Sequence, residues 1–389
     1  MILFYLFYIH VLLSNYHYYH IHIKFYNNPF FSKNKFNLNN KLYDHIIKED
    51  KRKENYFNNF EFQENITNDS YTVFGLDNTF TSFISFDDIS YLVYADEKKT
   101  IILYNLIDKC KLNEVKNAHK EYITNFRHFS NIKNKTDLII SISGYDNNIK
   151  LWTVHNMDCL LNMENINDKG YLYSASFLND INNNQIYIIS SNYFVNMSDK
   201  IKIFDLQGNK IKAINNSNVD TYFIDSYYDN KSFKNYIITG NDGFAKSYDY
   251  RDNNLYHEYY DDNDETKLPY ISILINDKKK IIKLISSSID GNIRIWNFHT
   301  GIFLKKIRVL NNQLNGIYLW NKKYLFVGCI DNIIRIVDIE KGEIIKNLAE
   351  HNEPVITVKN IIHKRYGKCL ISQSLYNDQI KLWINKYEA

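Results

Sequence analysis

Glycine and proline are scarce in this 389-residue chain, at 12 and 3 residues, so it is neither collagen-like nor a Pro/Gly-rich disordered repeat. The four cysteines (Cys110, Cys159, Cys329, Cys369) stand far apart without Cys-x-x-Cys spacing. That argues against a disulfide framework or a zinc site and fits the reduced thiols of an intracellular protein. Excess charge is also missing: the net balance is +3 with 23% charged residues, which implies no strong field toward nucleic acid. Arginine is rare, with seven among 47 basic residues, while lysine, asparagine, isoleucine and tyrosine abound. The abundant types have AT-rich codons, so counts of lysine or asparagine carry no functional argument. No Gly-rich phosphate loop, His-Glu-x-x-His, nucleophile elbow or kinase signature occurs, and the chain is read as a non-enzyme without cofactor or metal.

Residues 1–70 read as an appendage. Residues 1–13 have the apolarity of a signal-peptide core but no basic leader or small-residue cleavage site, and they are too short to span a bilayer as a helix. A weak signal, an anchor or a gene-model artefact are the readings open to them. His17, His20 and His22 lie in tyrosine-rich sequence without an acidic or cysteine partner nearby and are read as low complexity rather than as a metal site. Residues 27–69 are rich in Asn, Lys and Phe with no sustained period, so they are expected to be a disordered linker.

From residue 71 onward one phrase recurs. In Ile285-Ser286-Ser287-Ser288-Ile289-Asp290-Gly291-Asn292-Ile293-Arg294-Ile295-Trp296 an apolar run turns at Asp-Gly and re-enters an alternating strand that ends on an aromatic. Asp-Gly between two β-type runs marks a hairpin, because glycine tolerates the positive φ the turn demands. Strands of this kind end at Tyr104, Trp152, Phe204, Tyr248, Trp296, Val337 and Trp383, at intervals of about 41 to 52 residues. A four-stranded unit of that length is the blade of a β-propeller.

These residues resemble the WD40-repeat family over residues 71–389. In that family an Asp in the turn between the second and third strands precedes the terminal Trp by six residues. Asp146, Asp242, Asp290 and Asp331 hold that spacing, with Asp199 and Asp378 one residue closer. The family also places a His before the first strand, bonded to the Asp and to a hydroxyl. His119 and His351 match it, with Ser141 or Ser143 and Ser372 or Ser374 as hydroxyl partners. The resemblance therefore implies a structural network of His119, Asp146, Trp152, Asp242, Asp290, Trp296, Asp331, His351, Asp378 and Trp383, catalytic in type but architectural in role. No literal Trp-Asp dipeptide is present, and blade 1 lacks both His and a well-placed Asp.

The expected fold is all-β, a seven-bladed propeller closed by an N-terminal strand. The last unit runs out at its third strand, near Trp383, and residues 71–75 (Tyr71-Thr72-Val73-Phe74-Gly75) are available as its fourth. Such an exchange ties the chain ends together and removes exposed edges.

On that scaffold the expected function is non-enzymatic: a protein-binding scaffold in a multiprotein complex, monomeric on its own, intracellular, with no nucleic-acid or small-molecule ligand. Two stretches exceed the minimal repeat and share one face. Tyr193, Phe194 and Met197 lie in the blade 3 turn, and Tyr259, Tyr260, Asp261 and Asp262 lie ahead of blade 5. Aromatics and Met are enriched at interfaces, and the acidic run would suit a basic peptide. Tyr248-Asp249-Tyr250-Arg251 resembles the Trp-Asp-x-Arg box by which some WD40 proteins dock on a cullin-4 ligase adaptor, which makes a ligase substrate receptor the alternative, with Arg251 as the docking cation. An RNA-processing or ribosome-assembly subunit is the third reading.

Overall fold

The structure, a computed structural model, describes the chain from residue 56 onward apart from residues 58, 68, 71–78, 85–89, 132–134, 165, 167–170, 194–200, 215–219, 264–266, 278–280, 364, 377–378 and 387–389. Among the described residues the strands form seven antiparallel four-stranded sheets. Six of them take four consecutive strands each. Blade 2 is typical: Asn125–Asn131, Thr136–Ser143, Asn148–Thr153 and Cys159–Met163, paired in that order. The first strands of successive blades touch all the way round, blade 7 to blade 1 included. The result is a closed seven-bladed β-propeller, as the repeat spacing predicts.

Each blade is apolar on both sides because it has a neighbour on both sides. Successive residues of a strand point to opposite faces, so Ile237 packs toward blade 3 while Tyr236 and Ile238 pack toward blade 5. Seven buried clusters result, one at each blade junction. The second strands consequently read as nearly unbroken apolar runs, such as Leu138-Ile139-Ile140.

The hairpin turns confirm the sequence signal and explain the shortage of glycine. The residue after the turn aspartate has positive φ in four blades: Asn147 (53°), Gly243 (76°), Gly291 (81°) and Asn332 (69°). Asparagine, one of the few residues that tolerates this region, replaces glycine in two of them. Gly291 could not be exchanged in the same way, because a Cβ there would collide with the Leu310 carbonyl oxygen.

Closure differs from expectation. The fourth place in blade 7 is held by Phe60–Asn65, which pairs antiparallel with Lys381–Asn385, Phe62 opposite Trp383. Residues 71–75 lie outside the described residues. The propeller unit begins at Glu54, so the last part of the expected linker belongs to it. The reason is packing: Phe57 and Phe60 are each 1% exposed and insert beside Trp320, Tyr324 and Phe326 of blade 6. The chain then crosses to blade 1, where Asp69 accepts bonds from the Tyr94 hydroxyl (2.8 Å) and the Lys111 ammonium (2.6 Å).

Candidate functional site

The polar residues singled out by the repeat divide into two kinds of internal lock. In blade 2 the Ser141 hydroxyl accepts a bond from Trp152 Nε1 (2.9 Å) and lies 2.7 Å from His119 Nε2. With Trp152 donating, the hydroxyl hydrogen is available to Nε2, which places the imidazole proton on Nδ1, toward Asp146 Oδ2 at 3.7 Å. Burial lowers the His119 pKa and keeps the ring neutral. Burial alone would raise the Asp146 carboxyl. Its contacts with His119 and Ser143 and the bond from the Glu121 amide reverse that and hold it low. Blade 7 repeats the lock: Ser372 Oγ sits 2.7 Å from both His351 Nε2 and Trp383 Nε1, whereas Asp378 lies outside the described residues, as does Asp199.

Blades 5 and 6 carry no such histidine and use arginine instead. Arg294 reaches back four residues to Asp290 (Nη1 to Oδ1 3.1 Å, Nη2 to Oδ2 2.5 Å), and its Nε bonds Asp261 at 3.2 Å. Arg335 grips Asp331 in the same way, at 2.7 and 2.5 Å. Asp290 is thus held by a guanidinium where the blade 2 aspartate faces a histidine, and Trp296 Nε1 donates to the Tyr260 carbonyl (2.9 Å) rather than to a serine. The sequence signal was present: an arginine four residues after the turn Asp in a chain with very few arginines. In blade 4, burial raises the pKa of half-buried Asp242, whose partner is Tyr222. Cys329, beside Arg335, is pushed up to about 12 by burial, which leaves it an inert thiol.

A direct test compares two serines in the same row. Ser141 pairs with Lys150 and Ser190 with Lys202, but among the described residues the buried Ser190 hydroxyl has no partner. Ser141→Ala is expected to cost about 2 kcal/mol, since it removes one hydroxyl and strands two donors or acceptors. Ser190→Ala is expected to be neutral or slightly stabilising. Urea midpoints of the two variants measure the difference.

The proposed partner surface is only partly as expected. Tyr260 is 53% exposed and Asp262 is exposed. Tyr259 is fully buried, its hydroxyl donating to the Phe298 carbonyl at 2.7 Å beside Ser247 Oγ at 2.9 Å. Asp261 is buried against Arg294 and Lys306 (3.0 Å), so the acidic run is in part an interior counter-ion. Tyr193 ends the strand Gln185–Tyr193, while Phe194 and Met197 lie outside the described residues. In the Tyr248-Asp249-Tyr250-Arg251 box, Tyr248 and Tyr250 are buried. Asp249 pairs with Lys234 (2.7 Å) and accepts the Arg251 amide (3.0 Å). Arg251 itself is exposed, on the turn between third and fourth strands and therefore at the end of the propeller opposite Tyr260.

Of the tyrosines that reach solvent, sequence reading picked out Tyr260 and missed Tyr145, Tyr171 and Tyr376. Tyr145 (47%), Tyr171 (45%), Tyr260 (53%) and Tyr376 (50%) are the exposed tyrosines among the described large apolar side chains. All four lie at the end of the propeller carrying the turns between second and third strands and the blade-to-blade connections. Tyr145 and Tyr171 meet edge to face at 5.9 Å, and just inside them Tyr173 meets Tyr222 at 5.2 Å. In a chain with 33 tyrosines no pattern marks Tyr145, Tyr171 or Tyr376. Among the described residues no group of three potential metal ligands converges, and no helix is long and apolar enough to cross a membrane.

No family model matches the sequence. A stretch of 115 residues is 25% identical to the U3 small nucleolar RNA-associated protein 21 homolog of Schizosaccharomyces pombe; it spans 30% of this chain and 12% of that protein's length.

Proposed function

We propose that this chain is a WD40-type propeller that serves as an intracellular, non-enzymatic protein-binding scaffold, engaging its partner through the tyrosine-bearing face. The observation that carries the reading is the gathering of Tyr145, Tyr171, Tyr260 and Tyr376 at one end. Tyrosine buries a large apolar area with few rotors and keeps a polar tip, the combination enriched at binding hot spots. The side chains of catalytic type in the blade locks are turned inward and engaged with one another, so they support the blades rather than a reaction. Affinity purification of the tagged chain from its own cells tests this. Tyr145→Ala/Tyr171→Ala is expected to lose the main co-purifying protein while the melting temperature stays within about 2 °C of the parent. Retention of every partner by the double variant would place the interface elsewhere. Loss of a cullin adaptor with Arg251→Ala would identify a ligase receptor using the opposite face.

The similarity to a small nucleolar RNA-associated protein favours a second reading, a subunit of a ribosome-assembly complex. On that reading the purified assembly contains small nucleolar RNA held through partner proteins, since this chain has no basic stripe with interleaved aromatics. Probing the purified complex for such RNA decides it.

A further inference from the structure

Among the described residues three arginines are buried: Arg127, Arg294 and Arg335. The last two hold aspartates, as described above. Arg127 holds none. It lies on the innermost strand of blade 2, 8% exposed, with Nη1 donating to Asn125 Oδ1 (3.1 Å) and the Phe126 carbonyl (3.5 Å). Among the described residues, Nε and Nη2 have no acceptor. A guanidinium stays charged at any physiological pH, and burying it without a counter-ion is costly.

The geometry of the unused atoms is informative. Nε–H and the Nη2–H beside it form one edge of the guanidinium plane, the fork that takes both oxygens of a carboxylate. The group lies 5.9 Å from the ring of Phe223, a residue of blade 4, so it crosses in front of blade 3 at the central channel. Blade 3 adds a hydroxyl. Ser174, Asn125 and Phe223 occupy one row, paired with Ser191, Ile142 and Gly240. Ser174 Oγ, buried, likewise has no partner among the described residues. The nearby acid, Asp225, in Arg127's own row on blade 4, forms no ion pair with it among the described residues, and its Oδ1 accepts from Ser176 Oγ at 2.7 Å and from the Ser226 amide at 2.8 Å. Tyr173 and Tyr222, adjacent in sequence to Ser174 and Phe223, lead from this point toward the exposed tyrosines.

We propose that Arg127 and Ser174 form a carboxylate-binding site in the central channel, filled by an acidic side chain of a partner protein docked on the tyrosine face. This rests on the protein-binding reading above and names the chemistry its partner must bring. One cation with one open fork matches a singly charged carboxylate. A phosphate dianion would bring two charges to that single cation.

The rarity of arginine makes the test clean. Full-length protein labelled with 15N-arginine should give Nε–H signals from seven arginines, with that of Arg127 identified by its loss in Arg127→Met. Titration with the peptide acetyl-Gly-Glu-Gly-amide is expected to move the Arg127 Nε–H signal saturably and leave the other six in place. The Gln counterpart of the peptide is expected to do nothing. Arg127→Lys keeps the charge but lacks the fork, and is expected to weaken peptide binding about tenfold. Because the guanidinium has no counter-ion among the described residues, Arg127→Met is also expected to raise the melting temperature. No movement with the Glu peptide, equal movement with the Gln peptide, or a stronger response to inorganic phosphate would each overturn the carboxylate site, and a lowered melting temperature would make Arg127 a structural strut. A partner complex recovered intact with Arg127→Met would overturn it too while leaving the protein-binding reading standing.

Discussion

Deleting residues 1–65 is expected to abolish the cooperative melting transition, whereas deleting residues 1–53 leaves it in place. The longer deletion removes Phe60–Asn65, and with it the fourth strand of blade 7 and the strand pairing that joins the two ends of the propeller. It also removes Phe57 and Phe60, each buried between blades 6 and 7. Emptying such sites costs about 3–5 kcal/mol per phenylalanine, so the two rings alone approach the whole stability of a typical domain, about 5–15 kcal/mol. Circular dichroism melts of both truncations provide the measurement. Phe60→Ala in the full chain separates packing from pairing, with an expected loss of about 3–5 kcal/mol while the strand remains. Identical melts for the two truncations would rule out closure by this strand.

The second large effect is expected in blade 5. Arg294 is fully buried, with Asp290 and Asp261 on two sides and the Tyr270 ring 5.4 Å away. Arg294→Met fills similar volume but leaves Asp290 without its cation, and is expected to cost about 3–5 kcal/mol. Replacing Asp290 by Leu in the same chain is expected to recover much of it, because the uncompensated charge is then gone. The pH dependence checks the cause independently. Burial pushes the Asp290 carboxyl up, but the Arg294 fork and the Asn292 bonds override it and hold it at about 2, against 3.8 for an ordinary aspartate. A depressed carboxyl contributes stability that is complete above its unfolded pKa and vanishes as pH falls through the folded one. The parent should therefore lose about 2 kcal/mol from this group between pH 4 and pH 2. Arg294→Met should lack that loss, and an unchanged acid profile would show that Arg294 does not set the Asp290 pKa.

The sequence by itself determined the propeller, its seven blades and the central turn in four of them. Those depend on local physics repeated at a fixed interval: alternation at a period of two, an Asp followed by Gly or Asn able to take positive φ, and an aromatic at the end of the third strand. The pairs His119 with Trp152 and His351 with Trp383 were legible as fixed spacings within one blade, whereas the choice of Ser141 over Ser143 and of Ser372 over Ser374 as their hydroxyl needed the structure. Phe60–Asn65 was not legible. Its strand has no repeat to match, and only the junction of blades 6 and 7 shows that Phe57 and Phe60 belong in a core. Asp261 and Tyr259 read as surface because their neighbours in sequence are acidic and exposed; their burial depends on Arg294 and Phe298, which lie more than thirty positions away in sequence. Arg127 is the extreme case. Its environment is made by three blades at once, so only the closed ring could show that a rare arginine stands in the channel without a counter-ion among the described residues.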